Sequence, residues 1–294
     1  MSWRTVVIAN SAKLDYRMNY LVIRQEKVSR IHLSEIGLLL IESTAVSLTT
    51  SLLAELTKHK IKVVFCDEKR NPSSELIGYY GSHDCSLKIR KQMEWTEFVK
   101  KSVWTEIVSE KIRNQRDFLQ DLGKEEECML LTSYLDEIQL GDSTNREGHA
   151  AKVYFNAMFG KDFSRSAENS INAALNYGYT LILSTFNREI VSSGYLTQIG
   201  IFHDNMFNSF NLASDLMEPF RIVVDRQVVR MMPDEFEHNE KMEMLSVLDQ
   251  EVFICKQINR LTTAIKLYCR SVFNALNEKD ISELRFMSLL KRGM

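Results

Sequence analysis

A change of hydrophobic period near residue 86 constrains this chain more than any other feature. Before it, short runs rich in Val, Ile and Leu stand between polar breaks: RTVVIAN (4–10), NYLVIRQ (19–25), IGLLLIES (36–43) and KVVFCDE (62–68). Such runs predict strands, because branched and apolar side chains pack well on a pleated surface. Between the last two, VSLTTSLLAELTKHK (46–60) has a helical period, and ELIGYYGS (75–82) adds the glycines that close a small mixed β domain. From Leu87 onward the spacing becomes that of long amphipathic helix, with Met93, Phe98, Val103, Ile107 and Ile112 set among charges. Further helices are predicted at about 125–138, 145–159, 167–192, 208–217 and 247–276. The expected class is α+β: a β-rich N-terminal domain over 1–86 and a larger all-α C-terminal domain over 87–294.

With 294 residues and 45% hydrophobic content, the chain can bury two modest cores. Three prolines and eleven glycines, without repeats or low-complexity tracts, favour long regular elements. A formal charge of -2 gives no overall positive field, so any nucleic-acid surface has to be local. One stretch qualifies: residues 88–116 hold eight basic and four acidic side chains, a net of +4, although a solvated helix face explains it better than phosphate contact does. Five cysteines at no metal-ligand or disulfide-framework spacing suit a reducing compartment. The start MSWRTVVIAN has no secretion-signal pattern, and no run of ~18 apolar residues occurs, so a soluble cytoplasmic protein without membrane contact is expected.

Within the helical part, three polar sites look out of place. In NREGHAAKVYF (145–155), Glu147 lies one turn before Ala151 on the face that continues through Tyr154, Phe155 and Met158. A carboxylate aimed at packed side chains is costly unless a cation, proton or metal compensates it. GIFHDN sets His203 after an apolar dipeptide, and NLASDLMEPFR brings Asp215, Glu218 and Arg221 at successive steps of three. Pro219 disturbs that stripe, because the residue before proline is pushed from helical angles, and it allows Glu218 to sit at a kink instead. Each site has a plainer explanation. Thr144-Asn145-Arg146-Glu147 fits a capping box, His203 fits a satisfied core or loop histidine, and Glu218 with Arg221 fits a surface ion pair. Taken together, two carboxylates and an imidazole without thiolates suit Mg²⁺ or Mn²⁺ better than structural zinc. Such an ion stabilises charge on a phosphate and lowers the pKa of an attacking hydroxyl.

EGHAAKVYF, ALNYGYTLI (174–182), GIFHDN and DLMEPFRIVVD (215–225) occur in this order across the chain. In these motifs and their spacing the sequence closely resembles the CRISPR-associated adaptation integrases, metal-dependent endonucleases, and its N-terminal stretch is similar to their type II branch. The resemblance covers essentially the whole chain. It implies Glu147, His203 and Glu218 as metal-binding positions, with Asp215 as an auxiliary acid. Some members carry aspartate where this chain has Glu218, a difference of reach rather than of chemistry. Tyr177 matches a family tyrosine near the catalytic centre, with core packing as the competing reading. Arg146, Lys152 and Arg221 flank the acids and could neutralise DNA phosphates, or pair with those acids.

The resemblance further implies transesterification: the 3'-hydroxyl of a captured fragment of double-stranded DNA attacks a phosphodiester at the end of a CRISPR repeat. It implies a homodimer, with the N-terminal domain in dimerisation, and two such dimers flanking a dimer of a small second adaptation protein in a heterohexamer. Other type II CRISPR proteins are further expected partners. A rival enzymatic reading is a nuclease using water as nucleophile. A rival of another class is a non-catalytic helical scaffold that holds DNA or the adaptation partners.

Overall fold

The computed structural model describes residues 4–78 and 82–290, and the chain forms two compact units that divide between residues 81 and 82. The first unit runs β1 (Arg4–Ile8), β2 (Ala12–Arg17), β3 (Tyr20–Arg24), β4 (Val28–His32), β5 (Ile36–Ile41), β6 (Val46–Leu48), α1 (Thr50–Lys58), β7 (Lys62–Cys66) and β8 (Pro72–Glu75). Two four-stranded sheets result, ordered β1-β5-β7-β8 and β4-β3-β2-β6. In the first, β5 runs parallel to both β1 and β7, and its Leu39, Leu40 and Ile41 are all buried, as expected for a strand covered on two faces. Leu14, Leu21, Ile23, Leu33, Leu39, Leu52 and Val63 meet in one aliphatic core.

Four strands escape the apolar-run criterion for physical reasons, β8 because its sequence PSSE is polar. The sequences AKLDYR of β2 and VSRIH of β4 carry charges at alternate positions, and β4 is a largely exposed edge. Val46–Leu48, predicted as helix, pairs with β2 instead. The helix starts later, at Thr50, because the Thr49 hydroxyl accepts the Leu52 N–H at 3.3 Å. Met18 and Asn19, both with positive φ (47° and 67°), join β2 to β3 through the turn type whose twist matches a two-residue hairpin. Of the glycine-bearing stretch 75–82, residues 79–81 lie outside the described residues.

The second unit is mostly helical: α2 (Cys85–Met93), α3 (Glu97–Asp121), α4 (Glu125–Asp136), α5 (Arg146–Phe159), α6 (Ser170–Ser192), α7 (Asn211–Leu216), α8 (Arg221–Met231), α9 (His238–Leu245), then β9 (Glu251–Ile254), β10 (Gln257–Arg260), α10 (Leu261–Glu278) and β11 (Ser288–Leu289). The long helix predicted from Leu87 is broken at Glu94–Thr96, where the Thr96 hydroxyl caps α3 by accepting from Val99 N–H at 3.4 Å. Its inward face is Val99, Val103, Trp104, Ile107, Val108 and Ile112, whereas Met93 and Phe98 point to solvent. The helix predicted at 247–276 begins only at Leu261. Val252 and Ile254 are buried at a period of two, and Cys255 and Lys256 take the positive φ of a tight hairpin, so this stretch forms a small sheet ordered β10-β9-β11. The 25-residue α3 is the axis of the unit, packed against α4, α5, α7, α8 and α10.

Candidate metal centre

Glu147 enters the site because something else caps its helix. Asn145 sits in the left-handed region (φ 53°) and makes no side-chain cap, while the buried Asp142 carboxylate accepts from the N–H groups of Arg146 (2.8 Å) and Glu147 (3.0 Å). The capping box expected from Thr144 to Glu147 is therefore not formed. Relieved of that role, the Glu147 carboxylate receives the ammonium of Lys111 from α3. The same ammonium lies 2.5 Å from Glu218 Oε2. Glu218 opens a three-residue 3-10 turn, Glu218–Phe220, between α7 and α8, the kink that Pro219 imposes. Asn114, one turn beyond Lys111 on α3, pins that turn by donating to the Pro219 carbonyl at 3.1 Å. Glu218 Oε1 accepts from Arg221 at 2.9 Å, and the Arg221 guanidinium stacks 4.5 Å from the Tyr179 ring centroid.

His203 is set by Asp215. The fully buried Asp215 carboxylate accepts the backbone N–H groups of Ile201 (2.6 Å), Phe202 (3.0 Å) and His203 (3.0 Å), and holds His203 Nδ1 at 2.5 Å. Asp215 thus fixes both the loop and the ring, leaving Nε2 as the nitrogen a ligand would meet. Phe202 stacks on Trp104 at 4.5 Å, with the His203 ring edge-on to the same indole at 5.8 Å. Gly200 is required here: a Cβ would stand 2.3 Å from the His203 carbonyl oxygen and 2.7 Å from Asp215 Oδ2.

The charges reinforce one another. Burial disfavours the ionised form of Glu218, but Arg221 and Lys111 outweigh it and hold its pKa at about 2. Burial likewise opposes the charge on Lys111, yet Glu218 and Glu147 raise its pKa above the ordinary lysine value. The His203 pKa is raised, first by its hydrogen bond to Asp215, against burial, with the charges of Asp215, Glu218 and Glu147 adding to it. Beneath this cluster lies a carboxyl of the opposite kind. Asp225 accepts from the Tyr154 hydroxyl at 3.0 Å and from that of Tyr179, and burial pushes its pKa up to about 6 despite those bonds.

Glu147 and Glu218 are therefore brought together, with His203 within reach of their field and Asp215 behind it. Arg221 is committed to Glu218, and Arg146 to Glu137 at 2.6 Å; Lys152 is exposed on α5. Tyr177 is buried on α6 against Phe236, with its ring 5.9 Å from Lys241 Nζ, which is the packing alternative; Tyr179 is the α6 tyrosine that touches the cluster. Sequence reasoning missed Lys111, Asn114, Asp142, Tyr179, Gly200 and Asp225. Lys111 had a signal: it follows Trp104, Ile107 and Val108 by seven, four and three residues and so belongs to the buried face of α3.

Among the described residues, no three or more His, Cys, Asp or Glu side chains already stand as a metal-binding group. The donor set nevertheless fits a hard divalent ion: two carboxylates converge on a single cation, here an ammonium, beside an imidazole oriented through its other nitrogen by a carboxylate. A family model described as CRISPR associated protein Cas1 matches residues 5–252. The chain belongs to the Cas1 family. A Cas1 relative named CRISPR-associated endonuclease Cas1, from Neisseria meningitidis serogroup C (strain 8013), is 32% identical over 297 residues, covering 99% of this chain and 97% of that protein. The Cas1 fold recurs in a casposase bound to its integration product, with TM-score 0.77, 18% identity and coverage of 95% of this chain and 91% of that one. A chain of a Cas6-RT-Cas1–Cas2 complex gives TM-score 0.75 and 18% identity over 96% of this chain, which spans only 36% of that longer polypeptide. No described helix is long and apolar enough to cross a membrane.

Proposed function

We propose that this protein is a CRISPR adaptation integrase of the type II branch, inserting captured double-stranded DNA at CRISPR repeats by strand transfer, with endonuclease activity at the same site. The observation that carries this reading is the convergence of Glu147 and Glu218 on one cation, with an Asp215-oriented His203 within reach of their charge. Glu147, His203 and Glu218 would hold Mg²⁺ or Mn²⁺, which when bound supplies a Lewis acid for the phosphate and a lowered pKa for the attacking 3'-hydroxyl. Asp215 holds His203 Nδ1, so that the ring presents Nε2. Arg221, stacked on Tyr179, keeps Glu218 ionised and extended toward Glu147. Arg146 and Lys152 line the approach to DNA phosphates, and Tyr177 supports α6 from within. No covalent protein intermediate is required.

The casposase and Cas2-containing neighbours support a nucleic-acid substrate and a small second adaptation protein as partner. In this reading residues 1–86 mediate a homodimer, and two dimers flank one partner dimer, so that two sites address both ends of a fragment. The test is strand transfer with DNA labelled at the 3' end, titrated with Mn²⁺, for wild type and Glu218→Ala. Joined product from wild type only is the expected result. Cleavage without joining would assign water as the nucleophile, and unchanged insertion by a folded Glu218→Ala would leave the scaffold reading.

A further inference from the structure

Lys111 is a buried lysine with an uncommon duty. Its side chain is 8% exposed, and its ammonium contacts Glu147 Oε1 and Glu218 Oε2 at once. Glu218 Oε1 accepts from Arg221, so both of its oxygens already face a cation. A dication seated between the two carboxylates would stand against one of these cations and be repelled by it. Arg221 is the harder to move: its guanidinium is also stacked on Tyr179 and follows Glu218 by three residues on the adjoining helix. Lys111 is a point charge on a flexible four-carbon stem, and it already occupies the position shared by both acids.

Charge arithmetic gives the same answer. Lys111 and Arg221 together balance Glu147 and Glu218, so these four side chains are neutral among themselves. A divalent ion added to these four without any withdrawal would leave an excess of two positive charges at a half-buried site, a disfavoured state. With Lys111 withdrawn, one of those charges leaves with it, and an incoming phosphate can balance the other.

We infer that Lys111 is a resident cation that keeps Glu147 and Glu218 paired and aligned in the metal-free protein, and that divalent-metal binding proceeds by displacing its ammonium from between them. This rests on the metal-site reading above. Metal affinity is then reduced by the fraction of molecules in which the lysine bridges, and removing the lysine removes that reduction.

The experiment uses the full chain with Mn²⁺ as probe and does not read activity. Acetylation of wild-type lysines by an N-hydroxysuccinimide ester, quantified peptide by peptide, is compared in EDTA and in saturating Mn²⁺ at equal ionic strength. In parallel, Mn²⁺ affinity is measured by electron paramagnetic resonance for wild type, Lys111→Met and Glu218→Ala. Lys111 modification is expected to rise about threefold or more with Mn²⁺, and Lys111→Met to bind Mn²⁺ about tenfold more tightly than wild type. Bound Mn²⁺ without any change at Lys111 would overturn the displacement inference and leave the metal site standing. Absence of Mn²⁺ binding, or undiminished binding by Glu218→Ala, would overturn both. If Lys111→Met fails to fold, the wild-type acetylation ratio decides alone.

Discussion

The two units bury different chemistry. Among the described residues, the N-terminal unit surrounds an aliphatic core with few buried charges, Glu42 and Lys62. The C-terminal unit buries Lys111, Asp142, Glu189, Asp215, Glu218, Asp225 and Lys241 within one helical assembly. Buried ions contribute little net stability compared with apolar side chains of similar volume. Lys111, Asp142, Asp215, Glu218 and Asp225 lie on α3 or on elements packed against it, which marks where the fold gives up stability to hold reactive groups in place, while the first unit is built for packing.

The largest expected effect comes from breaking the charged cluster. Glu218→Ala leaves the buried Lys111 with Glu147 alone and the half-buried Arg221 without its carboxylate, which should cost about 3 kcal/mol in unfolding free energy measured by denaturant titration. Strand transfer by the folded fraction should fall about a thousandfold or more, since several kcal/mol of transition-state stabilisation is lost. Leu39→Ala, at a fully buried position of β5, should cost about 2–5 kcal/mol through the cavity it opens. Its Mn²⁺ affinity per folded molecule should stay at the wild-type value, which separates packing from chemistry.

Asp215→Asn is a smaller perturbation and more local. An amide cannot accept from three backbone N–H groups and His203 Nδ1 as the carboxylate does, so about 1–3 kcal/mol of stability should go. Loss of ring orientation should weaken Mn²⁺ binding about 10–100-fold, as read by calorimetric titration.

The smallest effects are in pH dependence, where two carboxyls seven residues apart on the same stretch should act with opposite signs. Glu218, depressed to about 2 from its ordinary 4.5, contributes stability that is present above 4.5 and lost as pH falls through about 2. Asp225, raised from 3.8 to about 6, binds its proton more tightly when folded, so its contribution favours the fold at low pH and declines as pH rises from about 4 to about 6. Tyr179→Phe removes a hydrogen bond that lowers the Asp225 pKa, so the upper edge of that window should move to higher pH in thermal melts.

What the sequence revealed follows the same division. Apolar runs marked β3, β5 and β7, where successive residues are buried, and the edge strand β1, where Val6 and Ile8 are buried at alternate positions. The edge strand β4, with Ser29 and Arg30 exposed, carries no such mark. Period-3.6 spacing located α4, α5 and α6 to within a few residues but ran through the Thr96 cap and over the β9–β10 hairpin, where short polar signals outweigh it. In the site, Glu147 stood out as a charge on an apolar face. Lys111 obeys the same rule, yet it stands in a stretch rich in lysine and arginine, and its partners are 36 and 107 residues away. No local pattern reports a contact of that range.

The most direct test is a crystal structure of the protein soaked in Mn²⁺, with anomalous scattering recorded at the manganese edge. A peak shared by Glu147, Glu218 and His203 Nε2, with the Lys111 ammonium turned away, is the expected result. Manganese bound elsewhere, with Lys111 still bridging the two carboxylates, would contradict it.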